Sequence, residues 1–161
     1  MTQEISVIDF RALTEKQFAA LRTLKVSDRQ EVLGKSFLES IEDWESEPKD
    51  RVLGLCFVIE EMPVGLTLFR KHSPPLDHKV SIHGLKIAIP WQGRGYGHQA
   101  FLLAFRYLKS EWPEARILTL AVDAENSPAI AIYRAIGMSD SGPAFEGPNG
   151  KEHHMEMRLE N

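Results

Sequence analysis

A short glycine-rich segment constrains the fold of this chain more than any other feature. It comprises Gln92, Gly93, Arg94, Gly95, Tyr96 and Gly97, with a glycine at every second position. An apolar run typical of a β-strand precedes it, and a helical pattern follows at once. The order strand, turn and helix places several backbone N–H groups at a helix N-terminus without Cβ atoms in front of them, and such a group of donors binds phosphate.

The spacing of the glycines excludes two well-known phosphate loops. A dinucleotide-binding loop has the pattern G-x-G-x-x-G, whereas the third glycine here comes one residue early. A Walker loop needs Gly-Lys-Ser/Thr, and here Gly97 is followed by His98. What remains is Gln-x-x-Gly-x-Gly at Gln92, Gly95 and Gly97. A tight strand-to-helix turn without any ligand is the alternative interpretation of this pattern.

Length, charge and cysteine content narrow the class of protein. The 161 residues, 43% of them apolar, suit a single domain over 1–161 with a substantial core. A net charge of −4 argues against non-specific binding to nucleic acid and favours a cationic small partner. Cys56 is the lone cysteine, so it forms no internal disulfide and suits a reducing compartment. No apolar run approaches roughly 18 residues, and the start Met1-Thr2-Gln3-Glu4 lacks a basic region followed by an apolar segment, so we expect a cytoplasmic protein without a membrane partner.

Periodicity and capping signals predict a mixed order of strands and helices. The predicted strands cover 5–10, 51–60, 64–71, about 80–89, 117–122, 143–147 and 152–159, with turns at 61–63 and at Asn149-Gly150. Capping boxes at Thr14 and Ser27 open two helices, of which the second continues through Trp44 to Pro48. A third helix follows the glycine segment, and a fourth runs over about 128–136 between an N-cap at Ser127 and Gly137. The order predicts an α/β (α+β) fold, a largely antiparallel mixed sheet of about seven strands with helices on both faces.

A second motif lies 29 residues beyond Gly97, over 126–138. Its pattern of Asn126, Ala131, Tyr133, Gly137 and Met138 follows a buried-type strand. Together with the glycine segment and the element order, it resembles the GNAT superfamily of N-acetyltransferases, and within it the bacterial polyamine and diamine acetyltransferases. The resemblance covers nearly the whole chain and is strongest over 82–138. It implies acetyl-CoA as the cosubstrate.

The resemblance implies roles for the residues around both motifs. The backbone groups of Ile87, Ala88 and Ile89 would pair with the pantetheine arm as a short strand. The pyrophosphate would be held by the glycine segment that begins at Gln92, through the N–H groups of Gly93, Arg94, Gly95, Tyr96, Gly97 and His98. The side chain of Arg94 would add a positive charge beside the phosphates. Asn126 would bind the cofactor arm. Three of these residues have a structural alternative: Arg94 as a solvated charge, His98 as an ordinary residue at the start of a helix, and Asn126 as a turn residue.

Acetyl transfer needs a deprotonated amine, a stabilised oxyanion and a proton for the departing thiolate. The resemblance puts Tyr133 near the sulfur, where its phenol would supply that proton, although Tyr133 as a core aromatic is the alternative. A backbone N–H near 87–89 would stabilise the oxyanion. Relatives that use a base place a glutamate where this chain has His83. Histidine can accept a proton through water, so His83 is the candidate base by chemical analogy, and a strand histidine without a role is the alternative.

The expected activity is direct transfer of acetyl from acetyl-CoA to a small primary amine, polyamine-like first. Direct transfer follows because no activated nucleophile is recognisable. An acidic run from Glu39 to Glu47 could hold a distal ammonium, or it could be a solvated helix face. A peptide or protein acceptor, and a non-catalytic acyl-CoA-binding regulatory module, are the alternatives. We expect no metal, since His153 and His154 would point to opposite faces of a strand. The resemblance leaves a homodimer open.

Overall fold

The computed structural model describes residues 3–76, 78–147 and 150–159. The strands and helices are β1 (Ile5–Asp9), α1 (Glu15–Thr23), α2 (Asp28–Leu33), α3 (Phe37–Ser46), β2 (Val52–Ile59), β3 (Met62–Lys71), β4 (Lys79–Ile87), α4 (Tyr96–Glu111), β5 (Ile117–Asp123), α5 (Ser127–Ile136), β6 (Ser139–Asp140), β7 (Phe145–Gly147) and β8 (Gly150–Arg158). Short 3₁₀ turns follow β1 and β4. The mixed order of strands and helices predicted from the sequence is confirmed.

The strands form one sheet in the order β1-β2-β3-β4-β5-β8-β6, with β7 also paired to β8. Each neighbouring pair is antiparallel except β4 and β5, which run parallel. The largely antiparallel mixed sheet is therefore confirmed. Its strand number exceeds the predicted seven because the two-residue β6 is too short to leave a periodic signal in the sequence.

Helices cover both faces of the sheet, and the alternation of side chains along β2 shows how. Leu55 and Phe57 belong to a core cluster that includes Ala100, Phe101 and Leu108 of α4. The residues between and after them, Cys56 and Val58, point the other way and pack with Leu21 of α1 and with Phe37 and Ile41 of α3. Successive residues of a strand face opposite sides, so an unbroken apolar strand such as β2 needs a cover on each side.

The parallel pair in the middle of the sheet opens along its length. Pairing between β4 and β5 begins at Lys79 and Ile117 and ends at Ser81 and Thr119, although both strands continue. On its other edge β4 stays paired with β3 through Ile87. Beyond Ser81 the two strands diverge, and the main-chain groups of β4 on that edge lose their partner strand. This gap positions the candidate site.

A β-bulge lies in the part of β4 that has left β5. Leu66 pairs with Lys86 and Leu68 with His83, so a step of two residues on β3 faces a step of three on β4. Gly84 within the bulge has φ +65°, a backbone conformation that residues other than glycine rarely adopt. A bulge bends a strand and re-aims the side chains beyond it, which here are those of Leu85 and Lys86.

The helix predicted from Ser27 to Trp44 is two helices, and this prediction was wrong. The capping box of Ser27 and Gln30 is present, but α2 ends after six residues at Gly34. Ser36 then forms another capping box with Glu39 and begins α3. Glycine ends helices readily, and a serine three residues before a glutamate starts them, so the break was encoded but hidden by the continuous apolar spacing.

One of the two predicted hairpin turns differs from its predicted position. The hairpin between β2 and β3 turns at Glu60 and Glu61, both with positive φ, and Met62 with Pro63 belongs to β3. Glutamate rarely adopts that conformation, so the sequence gives no signal for it. In the C-terminal hairpin β7 pairs with β8 as predicted, while Asn149 lies outside the described residues.

Two details of the helices also differ from prediction. The fourth predicted helix is α5, and it begins one residue early, with Asn126 rather than Ser127 at the N-cap. Its C-terminal glycine is as predicted, since Gly137 has φ +118°. On α4, helical spacing places Leu102 in one apolar stripe with Phe101 and Leu108, but Leu102 is 45% exposed, and Ala104 takes a buried place instead.

Candidate active site

The gap between β4 and β5 holds a cavity of about 530 Å³ that brings the two sequence motifs together. Its walls come from the bulged end of β4, the glycine segment, the start of α4, α5 and the region around α2. The lining residues are Val26, Gln30, Gly34, Lys35, Gly84, Leu85, Lys86, Ile87, Trp91, Gln92, Gly93, Gly95, Tyr96, Gly97, His98, Asn126, Pro128, Ala129, Ile132 and Tyr133. Most of the residues predicted for cofactor binding are among them.

The glycine segment presents a continuous row of backbone donors. Within the described chain, none of the N–H groups from Gly93 to His98 donates to a protein acceptor. Gly93 and Gly95 have φ values of +76° and +81°, and a Cβ on either would meet open space. The row continues into the N-terminus of α4, a helix of 16 residues whose dipole favours negative charge. These donors fit a diphosphate, because each would otherwise depend on water.

The three larger side chains in and after the glycine segment, those of Arg94, Tyr96 and His98, differ in their exposure and contacts. Tyr96 is 2% exposed and its hydroxyl donates to the carbonyl of Gln3 at 3.1 Å, so only its backbone is available to a ligand. Arg94 is exposed, with its guanidinium 5.4 Å from the centre of the Trp91 ring, and it does not line the cavity. His98 is exposed at the rim of the cavity.

The three residues expected to pair with a pantetheine arm differ in what their backbones offer. The N–H of Ala88 donates to Val64 at 2.8 Å, and that of Ile89 to Lys25 at 3.0 Å, so these two donors are already used. Main-chain groups of successive strand residues face opposite edges, so Ile87 faces the edge that β5 has left. Of the three, only Ile87 lines the cavity.

Asn126 and Tyr133 line the cavity from the N-cap of α5 and from α5 itself. Asn126 uses its backbone in the turn before α5, while its side chain has no hydrogen-bond partner among the residues the structure describes. The ring of Tyr133 packs edge-on against Phe101, with 5.9 Å between ring centres. Loss of hydration raises the pKa of the Tyr133 phenol to about 12. The phenol therefore keeps its proton at neutral pH and can act as a donor.

His83 is placed away from these residues. It does not line the cavity, and its Nε2 lies 3.0 Å from Nη1 of Arg70 and 2.7 Å from Oγ of Ser81. A guanidinium only donates, so the Nε2 lone pair of His83 accepts from Arg70. Although the residue keeps an exposed surface, packing around the ring and then the charge of Arg70 lower the pKa of His83 to about 4. Both effects weaken it as a base.

Lys86 is a cavity residue that the sequence analysis missed. It follows the bulge on β4, and its Nζ donates to Oγ of Ser40 at 2.6 Å. Burial lowers the pKa of Lys86 to about 7. The signal in the sequence is a lysine between Leu85 and Ile87 in an otherwise apolar strand end, which by itself also fits a solvent-facing position.

The carboxylates of α3 are largely used within the fold. Glu39 accepts from the backbone N–H of Ser36, and that bond lowers its pKa. Asp43 pairs with Lys35 at 2.5 Å, and Glu47 pairs with Arg70. No carboxylate lines the cavity in the part of the chain described here, whereas Lys35 and Lys86 do.

The sequence model of the acetyltransferase (GNAT) family matches residues 18–138, three quarters of the chain. The chain belongs to the GNAT family. The protein is therefore an acetyl-CoA-dependent acyltransferase, and the family expected from the two motifs is confirmed. A comparison with curated proteins finds no match.

Solved structures share this GNAT fold at low sequence identity. The spermidine N-acetyltransferase of Vibrio cholerae, in complex with CoA and spermine, is 16% identical with a TM-score of 0.75, over 96% of this chain and 95% of that one. An aminoglycoside acetyltransferase in complex with coenzyme A is 15% identical with a TM-score of 0.72, again over 96% and 95%. A Bacillus subtilis acetyltransferase with CoA is 11% identical with a TM-score of 0.67, over 98% and 100%.

Neither a metal-binding cluster nor a membrane-spanning helix occurs in the described part of this GNAT protein. Over 3–76, 78–147 and 150–159, no three histidine, cysteine or acidic side chains are grouped closely enough to hold a metal ion. In the same residues, no helix has the length and apolar character needed to cross a membrane.

Proposed function

We propose that this protein binds acetyl-CoA in the cavity between β4 and β5 and transfers the acetyl group directly to a primary amine of a small molecule. One observation carries the proposal: the same cavity is lined by Tyr133 and by five residues whose backbone N–H groups have no acceptor among the described residues, namely Gly93, Gly95, Tyr96, Gly97 and His98. The cofactor supplies an acetyl thioester. The chain supplies the groups that hold it and that move the protons.

Binding would be divided among three parts of the cavity. The N–H groups of the glycine segment hold the diphosphate, and the exposed Arg94 adds a positive charge beside them. The edge of β4 that β5 has left, around Leu85 and Ile87, offers main-chain groups to an amide-containing arm, as a strand offers them to a peptide. The side chain of Asn126, without a partner among the described residues, completes the polar contacts from the N-cap of α5.

Tyr133 is the proposed acid. Its phenol donates a proton to the departing thiolate, and its pKa of about 12 keeps that proton in place until the thiolate forms. The N–H of Ile87 is the proposed donor to the oxyanion, since those of Ala88 and Ile89 are bonded within the protein. His83 remains a predicted base that would need Arg70 to move away from its Nε2.

The acceptor is proposed to be a small primary amine, and a polyamine-like compound was the first expectation. Two of the neighbours in fold act on amines of this size or were crystallised with them: one carries spermine, and another is an aminoglycoside acetyltransferase. For this chain a polyamine would need carboxylates at the cavity, so the Lys35–Asp43 pair would have to open. A cytoplasmic location and a homodimer stay predictions.

The test is release of coenzyme A thiol from acetyl-CoA, measured across polyamines, aminoglycosides, amino acids and short peptides. We expect one class of small amine to stimulate release, with the acetylated amine identified by mass spectrometry. Stimulation only by peptides would support the peptide acceptor. Tight binding of coenzyme A with no stimulation by any amine would support the regulatory module and overturn the proposed activity.

A further inference from the structure

Two features of the fold, a hydrogen bond to Ser40 and the glycine at position 84, hold the amine of Lys86 in place at the cavity. Its Nζ donates to Oγ of Ser40, a residue of α3 that is 2% exposed. A Cβ on Gly84 would lie 2.9 Å from this Nζ, so the lysine side chain folds back over the glycine of the bulge. The left-handed Gly84 therefore both forms the bulge and leaves room for the amine.

The charges around this amine leave it without a direct counter-ion. Across the described residues Lys86 forms no salt bridge, and the ring of Phe37 lies 5.7 Å from its Nζ. The charged groups that act on it are Glu39 and Asp43 from α3 and Lys35 from the turn before α3. Glu39 caps α3 and Asp43 pairs with Lys35, so neither carboxylate reaches Nζ.

A dehydrated amine without a paired carboxylate loses its proton more easily than one in water. Burial is the largest effect here and lowers the pKa of Lys86 to about 7, so a large fraction is neutral at physiological pH. His83, the base expected from the sequence, titrates at about 4 and has its Nε2 lone pair engaged by Arg70. Of His83 and Lys86, Lys86 has the higher pKa and is therefore the stronger base, and it is also the one that lines the cavity.

We propose that Lys86 is the general base that takes the proton from the acceptor ammonium in the acetyl transfer described above. This inference rests on the proposed function. The geometry behind it is the lining position on β4, the anchoring bond to Ser40 and the shared cavity with Tyr133.

The protons and bonds balance. The neutral Nζ of Lys86 takes one proton from the acceptor ammonium and becomes an ammonium itself. The freed amine nitrogen forms a C–N bond with the thioester carbonyl carbon, and the C–S bond breaks. The thiolate takes its proton from the Tyr133 hydroxyl, and the second proton of the attacking nitrogen returns to the tyrosinate. Lys86 then releases its proton to water, so each turnover yields an amide, a thiol and one proton.

The decisive variants separate basicity from charge. Lys86→Arg keeps the positive charge but cannot deprotonate, and Lys86→Met keeps an unbranched chain without the amine. We expect either change to lower kcat by about 100-fold and to remove the inflection near pH 7 from the profile of kcat against pH. Binding of coenzyme A, measured by calorimetry, should change less than about threefold. Lys79→Met, on the same strand but outside the cavity, is the matched control and should keep the wild-type profile.

Restoring the amine chemically tests the role of Lys86 as a base, because a purely structural role would not change the pH dependence of kcat. Lys86→Cys alkylated with 2-bromoethylamine regains an amine of lysine length through a sulfur atom. Cys56 stays unmodified because burial raises the pKa of its thiol to about 12, and alkylated wild-type protein controls for this. We expect alkylation to raise the kcat of Lys86→Cys by at least about tenfold. The inflection in the profile of kcat against pH should move to lower pH, because the sulfur lowers the basicity of the amine.

Three results would overturn the proposal. One is a Lys86→Arg variant that retains wild-type kcat and its pH inflection, which would mean that the charge alone matters. Another is unaltered turnover in Lys86→Met. The third applies even where the variants fold poorly: pH-dependent acetic anhydride labelling of the wild-type protein, read by mass spectrometry, that places the titration of Lys86 near 10. If the wild-type protein acetylates no amine, the proposed function fails instead, and the labelling still reports on Lys86.

Discussion

Gln92 joins the glycine segment to the end of β4 by donating from its side-chain amide to the carbonyl of Ile87 at 2.8 Å. The same Nε2 lies 3.1 Å from Oε1 of Gln30 on α2. The amide therefore fixes the distance between the row of phosphate donors and the free edge of the sheet. It also satisfies a carbonyl that β5 would have bonded had the two strands stayed together.

Replacing this amide should loosen the cofactor site with little effect on the fold. We expect Gln92→Ala to raise the KM for acetyl-CoA about fivefold, since one well-formed hydrogen bond contributes about 1 kcal/mol. The acceptor KM should change less. Gln99→Ala, exposed one turn into α4, is the matched control. Equal effects of both substitutions on the acetyl-CoA KM would contradict the bridging role of Gln92.

The glycine at the N-cap of α4 allows backbone strain to be separated from ligand binding. Gly95→Ala forces a Cβ onto a residue with φ +81°, which should cost about 1–2 kcal/mol of folding stability. Gly142→Ala introduces the same kind of strain at φ +122°, also into open space but outside the cavity. We expect both variants to melt several degrees lower. Only Gly95→Ala should weaken coenzyme A binding in calorimetry, by about tenfold. A similar loss of affinity in Gly142→Ala would show that the effect is general destabilisation.

Much of this fold was predictable because its signals are local. The capping box of Thr14, the proline at the start of α5 and Gly137 at its end fixed element boundaries. The break at Gly34 was missed because apolar residues kept helical spacing on both sides of it. The turn at Glu60 and Glu61 could not be predicted, since the pairing of β2 with β3 overrides the preference of glutamate against positive φ.

The candidate site was predictable only where backbone geometry defines it. Closely spaced glycines indicate accessible backbone N–H groups, so the residues from Gly93 to Gly97 could be predicted as phosphate donors from the sequence. The roles of side chains depend on contacts between distant segments. His83 is engaged by Arg70, which comes from a different strand, and Lys86 meets Ser40 from a helix some 46 residues earlier. No local pattern contains either pairing.

The assignment of Tyr133 as the acid predicts a separation of binding from turnover. Tyr133→Phe keeps the ring and its contact with Phe101 but removes the proton. We expect kcat to fall about 100-fold, with coenzyme A affinity within about twofold of wild type. Because the pKa of Tyr133 is raised to about 12, wild-type kcat should show no loss up to about pH 10 that depends on this phenol. Comparable kcat in the two proteins would remove Tyr133 from the mechanism.

Lys86 should also lower the free energy of unfolding at low pH, because a partly dehydrated ammonium without a paired carboxylate destabilises the folded protein. Its pKa is about 7 in the folded protein, against 10.5 for lysine in water. Below pH 7 the amine is charged in both folded and unfolded chains, so the cost of dehydrating that charge is present in full. Between pH 7 and 10.5 only the unfolded chain holds the proton, so stability rises with pH in this window.

We therefore expect Lys86→Met to be more stable than wild type at pH 6, by about 2 kcal/mol after allowing for the lost bond to Ser40. The advantage should shrink steadily as the pH rises toward 10, because the neutral wild-type amine no longer carries the penalty. Urea unfolding at pH 6, 8 and 10 measures this difference directly, with Lys79→Met as the control. A difference between Lys86→Met and wild type that stays constant with pH would mean that Lys86 titrates normally, and that an amine placed beside Ser40 is not sufficiently dehydrated to act as a base.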